Sequence, residues 1–262
     1  MGVNGAMLCG KANEKQRNPM AVKFFNYTLA TELPLLTKPT WDTTRPCVID
    51  CLNAHSFVLA LSREPFRQAL QHSTILLPDG ISICRSLQQY RDIQIAKLAG
   101  DDLHTHLLHQ LAALHGKAYY LGSSDSTLQL ISQRIRKEYP TVHIRTYAPP
   151  FADTFTETEN RQMIHDIEQF QPDVLWLGMT APKQEEWVYQ HVAELQSPKV
   201  IACVGAVFDF FAGTRQRAPK LWIDMHAEWL YRWLQEPRRM WQRNTHSMPT
   251  YLRYVRAHSS EM

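Results

Sequence analysis

Between Cys47 and Val204, short apolar runs recur, each closed by turn residues and followed by a stretch of helical period. Few folds accommodate that alternation. Cys47 to Leu52 reads as a strand, with Asn53 placed to cap a helix carrying Phe57, Leu59 and Leu61. Thr74 to Leu77 is the next strand, stopped by Pro78-Asp79-Gly80 and followed by a helix with Ile81, Ile83 and Leu87. Asp101 or Asp102 opens a helix through Leu107, Leu108, Leu111 and Leu114, which Gly116 ends. Tyr119 to Leu121 makes a strand that stops at Gly122-Ser123-Ser124, and Asp125 is placed to cap a helix to Tyr139. A strand near His143 to Tyr147, a helix from about Glu157 to Phe170, a strand at Val174 to Leu177, a helix at Gln184 to Leu195 and a strand at Val200 to Val204 complete the pattern. Strands and helices in strict succession give an α/β protein, its mostly parallel sheet covered by helices on both faces.

At 262 residues and 44% hydrophobic, the chain suffices for one large domain or a domain with an appendage. Residues 1–20 read as a disordered lead and 21–214 as the α/β core, while 215–262 turn basic, Trp-rich and helical only. From Arg215 to Arg256, nine Lys or Arg face three acidic residues, leaving the rest of the chain net acidic. Trp222, Trp229, Trp233 and Trp241 fall in that stretch. Indole favours a membrane interface and guanidinium favours phosphate, so this appendage suits anionic head groups. Charge alone also admits nucleic acid, and the tryptophans could equally well pack on the core. No run reaches the roughly 18 apolar residues of a membrane span, and no basic-then-apolar leader opens the chain, so a cytoplasmic location is expected. The five cysteines form no CxxC pair, and no Cys or carboxylate completes a ligand set with His104, His106, His109 and His115. No metal is expected.

In a parallel sheet the residues just beyond the strand C-termini converge on one edge: Asn53, Asp79, Gly122 to Ser124, Lys183 with Gln184, and Gly205 through Asp209. The segment Leu177 to Glu185 places Pro182 in a first helical turn, whose free N–H groups favour an anionic ligand. Asp79, set between a strand-ending Pro and a Gly, is the general-base candidate, with helix capping as the plainer alternative. Asp209 is flanked by aromatics and needs a partner such as a sugar hydroxyl or an Arg. Gly122-Ser123-Ser124 does not match GxGxxG.

Asn53, Pro78 to Ile81, Leu98 to Leu103, Tyr120 to Gly122, Ala181 to Glu185, Gly205 to Gly213, Arg217-Ala-Pro219, Glu228 to Arg232 and Glu236-Pro-Arg238 occur in that order. The ordered set resembles the WecG/TagA/CpsF family, glycosyltransferase family 26, from about Cys47 to Arg243. The resemblance implies a Rossmann-like core with a C-terminal helical appendage. It also implies an inverting, metal-free and cofactor-free transfer from a UDP-sugar to a polyprenyl-diphosphate-linked saccharide, at the inner face of the cell membrane, in surface or exopolysaccharide synthesis. The sugar would be N-acetylmannosaminyl or glucosyl.

Carried over, Asp79 matches the base that takes the acceptor proton, with Asn53 beside it. Gly122, Ser123, Gln184, Gly205 and Asp209 match donor-site positions. Lys97, Arg217, Arg232 and Arg238 match diphosphate or acceptor contacts, which a metal-free departure of UDP requires. Two positions depart: Cys51 stands where members often carry Thr, and Lys97 where Arg is common, which gives up a bidentate fork. A nicotinamide-dependent oxidoreductase would want GxGxxG after its first strand, which is missing. A non-enzymatic membrane or nucleic-acid adaptor would use only the basic tail. The transferase reading takes no nucleic-acid partner and leaves room for a homo-oligomer.

Overall fold

The computed structural model describes residues 21–39, 42–216, 219, 222, 231 and 243–262. Eight strands form one sheet: β1 (Ala21–Phe24), β2 (Tyr27–Ala30), β3 (Cys47–Leu52), β4 (Ile75–Pro78), β5 (Lys117–Gly122), β6 (His143–Tyr147), β7 (Val174–Gly178) and β8 (Val200–Cys203). Their spatial order is β1-β2-β4-β3-β8-β7-β5-β6. Only the β1–β2 pair is antiparallel, so the fold is the mostly parallel α/β sheet that the alternating pattern calls for.

Among the described residues the α-helices are α1 (Ala54–Ser62), α2 (Glu64–His72), α3 (Ile81–Arg91), α4 (Gly100–Leu114), α5 (Asp125–Glu138), α6 (Glu157–Phe170), α7 (Lys183–His191), α8 (Val207–Ala212) and α9 (Met248–Ala257). Successive strand residues serve opposite layers, as the period of two requires. Tyr120 and Trp176 pack with Leu107, Ile131 and Phe208 of α4, α5 and α8, whereas Tyr119 and Leu175 pack with Met163, Ile167, Trp187 and Val188 of α6 and α7.

Several local features differ from the sequence expectation for identifiable reasons. The β1–β2 hairpin adds an antiparallel edge, turning at Phe25, whose φ is 53°. Arg63 is extended and separates α1 from α2, which carries a Pro in its first turn. Ser124, not Asp125, caps α5, its side chain accepting from the Thr127 N–H. Pro182 stands at the N-cap of α7 after a cis peptide rather than within the first turn, and α7 ends at His191.

The last helix is not peripheral to the core. Tyr251 and Val255 of α9 are buried beside Phe24, Tyr27, Phe57, Leu70 and Ile83. Tyr251 Oη meets Ser86 Oγ at 2.8 Å and donates to the Ser82 carbonyl at 3.2 Å. Tyr251→Phe keeps the ring packing and strips these bonds, so denaturant titration should show a loss of about 1 kcal/mol. Among the described residues no helix is long and apolar enough to cross a membrane.

Candidate active site

Parallel register aligns the strand ends. Leu52 pairs with Pro78, and Gly122 with Gly178. The connection leaving β5 runs outward to β6 while that leaving β7 runs toward β8, which opens a crevice between their C-terminal ends. Three glycines let its walls approach. A Cβ on Gly122 (φ +120°) would lie 2.8 Å from the Gly178 carbonyl carbon, and one on Gly178 would overlap the Phe208 ring of α8. A Cβ on Gly205 (φ +54°) would sit 3.4 Å from the Met179 carbonyl. Ser123 follows Gly122 in left-handed backbone, φ 60°, and Ser124 then starts α5.

Asp79 and Asn53 sit side by side because each is one residue beyond a paired strand end. The Asp79 N–H donates to the Leu52 carbonyl at 2.9 Å. Asp79 is half-buried, and its charge helps to raise the Cys51 thiol, chiefly pushed up by burial. Asn53 has a structural duty: its Oδ1 accepts from the N–H groups of His55 and Ser56 at 3.0 and 3.1 Å, and the Asn53 N–H donates to Ser56 Oγ at 2.8 Å. That capping box fixes the first turn of α1 next to Asp79. Its side-chain oxygen is therefore spoken for, and only the amide NH2 is left to meet a substrate.

The Leu98 N–H donates to the Pro78 carbonyl at 3.1 Å, which brings Lys97 alongside the β4 end. Lys97 and Asp79 both act electrostatically on Cys84 in the first turn of α3. Gly100, opening α4, comes so near that a Cβ there would lie 3.7 Å from Cys51 Sγ and 3.3 Å from Val207. The N-terminus of α4 thus faces the same rim.

At the β7–α7 turn, Gln184 is 4% exposed. Its Oε1 accepts from the Met179 N–H at 3.2 Å, and its Nε2 donates to Glu185 Oε1 at 2.9 Å. Lys183 does not stand open to the crevice. Its ammonium donates to the Ala152 carbonyl and lies 3.4 Å from the Phe155 ring centroid, tying the loop after β6 to α7.

Asp209 of α8 takes the partner that its aromatic setting demands: Arg215 Nε lies 3.2 Å from its Oδ2. Asp209 stands four residues beyond Gly205 and next to Phe208, the ring that a Cβ on Gly178 would strike. The sequence therefore marked residues that the fold does gather: Asp79, Asn53 and Lys97 on the β3–β4 side, and Gly122, Ser123, Gln184, Gly205 and Asp209 on the β5–β7–β8 side. Arg217, Arg232 and Arg238 lie outside the described residues.

The histidines of α4 disperse. His104 Nε2 meets Tyr120 Oη at 2.8 Å in the core, His106 donates to the Pro34 carbonyl, and His109 packs on Tyr139. Burial keeps His104 neutral, its pKa pulled down to about 3. Among the described residues no group of three or more His, Cys, Asp or Glu is arranged to hold a metal ion. Two acids to which the sequence pattern assigns no role, Asp50 of β3 and Glu185 of α7, are buried. An Asp inside the apolar run Cys47 to Leu52 was the available signal.

An N-acetylglucosaminyldiphosphoundecaprenol N-acetyl-beta-D-mannosaminyltransferase of Staphylococcus aureus (strain MRSA252) is 24% identical over 173 residues, 66% of each chain. The protein of the same description from Bacillus spizizenii (strain ATCC 23059 / NRRL B-14472 / W23) is 26% identical over 199 residues, 76% of this chain and 74% of its own. The matches span 66% to 74% of these relatives' lengths. The sequence profile of one family covers residues 18–261, nearly all of the sequence. The chain belongs to the glycosyl transferase WecG/TagA/CpsF family.

Proposed function

We propose that the protein moves an N-acetylmannosaminyl residue from a UDP-sugar to N-acetylglucosamine carried on a polyprenyl diphosphate, with inversion at the anomeric carbon. The carrying observation is the placement of Asp79 beside the Asn53-capped start of α1, on one rim of a crevice whose other rim is cut back by glycines. Family membership and the activity named for the relatives supply the substrate class.

In this reading the donor diphosphate lies at the β5–β7 crevice, against backbone N–H groups at the starts of α5 and α7. The Asp79 carboxylate takes the proton of the acceptor hydroxyl. The oxygen attacks the anomeric carbon from the face opposite the leaving group, the C1–O bond breaks, and its electron pair departs on UDP. Charge building on UDP is met by the helix starts and by basic groups, for which Lys97, Arg217, Arg232 and Arg238 are proposed. A lipid-linked acceptor places the enzyme peripherally on the membrane surface.

The test is incubation with polyprenyl-diphosphate-linked N-acetylglucosamine and individual UDP-sugars, following UDP release and the mass of the lipid product. An N-acetylhexosamine gain from UDP-N-acetylmannosamine is expected, and EDTA should leave the rate unchanged. A hexose gain would reassign the donor to a glucosyl type. Absence of both UDP binding and lipid product would overturn the reading.

A further inference from the structure

Asp50 of β3 and Glu185 of α7 are two buried carboxylates within electrostatic reach of each other, with no counter-charge beside them among the described residues. Asp50 projects from the middle of β3 and is 1% exposed, while Glu185 projects from the first turn of α7 and is 5% exposed. Each has one oxygen satisfied: Asp50 Oδ2 accepts from Ser73 Oγ at 2.5 Å, and Glu185 Oε1 accepts from Gln184 Nε2 at 2.9 Å. The other oxygen of each, Asp50 Oδ1 and Glu185 Oε2, is buried and has no hydrogen-bond partner among the described residues.

Among the described residues the surroundings offer no cation. From β3 come Asp50 and Cys51, from β8 the Cys203 thiol beside Asp50, and from α7 Gln184 and Glu186. Glu186 is turned outward and committed to Arg63 through a 2.7 Å bond between Arg63 Nη2 and its Oε2. Asp79 and Asp102 reach only as far as Cys51 on the rim. Two adjacent buried anions in such a setting cost several kcal/mol, whereas one retained proton satisfies an orphaned oxygen and removes a charge together.

We propose that Glu185 is a positioning residue for donor binding, holding with Asp50 a single buried proton that keeps the Gln184 amide locked to the β7–α7 turn. The chain of contacts is direct. Glu185 fixes Gln184 Nε2, which leaves Gln184 Oε1 aimed at the Met179 N–H, and a Cβ on Gly205 would lie 3.7 Å from the same amide nitrogen. Met179 and Gly205 are the turn residues that border the crevice from β7 and β8. Burial, then the neighbouring Asp50, push Glu185 up to about 8, and burial raises Asp50 as well.

The sign of the pH dependence follows. The native pair keeps a proton that the unfolded chain has released by neutral pH, so this pair lowers stability progressively as pH rises from the ordinary carboxylate range through about 8. Glu185→Gln keeps a carbonyl acceptor for Gln184 and cannot ionise.

Two readouts test the proposal, and its functional half rests on the transferase reading above. In thermal unfolding across that pH range, the stability of Glu185→Gln relative to wild type should climb with pH and level off above about 8. A constant difference would overturn the shared proton. In transfer assays, Glu185→Leu should raise the donor KM about tenfold with kcat little changed, as expected when one hydrogen-bonded group loses its anchor. Glu185→Gln should recover the wild-type KM. A Glu185→Leu enzyme with wild-type KM, or a Glu185→Gln enzyme as weak as Glu185→Leu, would overturn the positioning role. Should wild type transfer nothing, the transferase reading fails while the unfolding comparison still decides the proton.

Discussion

Asp79→Asn is expected to reduce transfer by roughly 100-fold or more while UDP binding and the unfolding midpoint stay at their wild-type values. The side chains are near-isosteric, and the backbone bond that seats Asp79 runs from its N–H to the Leu52 carbonyl, which the substitution leaves intact. What disappears is a carboxylate able to accept the acceptor's proton as the new bond forms. Single-turnover rates with lipid acceptor, alongside calorimetric titration of UDP, separate the two effects. Turnover equal to wild type would remove Asp79 from the chemistry and leave it as a turn residue. Weakened UDP binding with unchanged chemistry would move it to the donor subsite.

Gly178→Ala should be the most damaging single-methyl change in the crevice, lowering stability by about 3 kcal/mol. The added carbon would overlap the Phe208 ring, which is 1% exposed and wedged against Tyr120, so neither the ring nor the strand has room to yield cheaply. Displacing Phe208 moves α8, and with it Asp209 and the Gly205 turn, so donor affinity should fall along with the denaturation midpoint. Gly213→Ala provides the contrast. Nothing lies within 4 Å of a Cβ there, and only the left-handed backbone, φ +76°, is penalised, by roughly 1–2 kcal/mol. A loss at Gly178 no larger than at Gly213 in urea titrations would mean that the Phe208 ring yields cheaply, since Gly178 carries no left-handed backbone of its own.

The parallel core was readable because each strand is a run of apolar residues ended by a residue with turn chemistry. Pro78-Asp79-Gly80 and Gly122-Ser123 mark strand ends as clearly in sequence as in space. The β1–β2 hairpin was not, since four-residue strands joined through Phe25 and Asn26 show no turn-forming pair and take their stability from the aromatic cluster with Phe57 and Tyr254. The short helix α8 was masked by its aromatic content, which suits a strand as well as a helix.

Side-chain duties were harder still to foresee. Asn53, read both as a helix cap and as a site residue, spends its amide oxygen on the cap, and Gln184, marked for the donor, spends its own on the Met179 N–H. Residue type gives the donors and acceptors, whereas only the backbone tells which are already taken. For Asp209 the requirement for a partner was evident from its aromatic neighbours, and Arg215, six residues on, meets it.

The placement of α9 bears on how the basic segment can be dissected. Ser247 Oγ sits 2.8 Å from His55 Nδ1 in the first turn of α1, and Tyr251, Val255 and Met262 fill the core over β1 and β2. A stop codon just after Gln216 would therefore delete a structural helix together with the arginines, and an inactive truncated protein would report misfolding as readily as lost recognition. Charge-swap replacements between Arg217 and Arg239, made with the terminal helix left in place, separate the two.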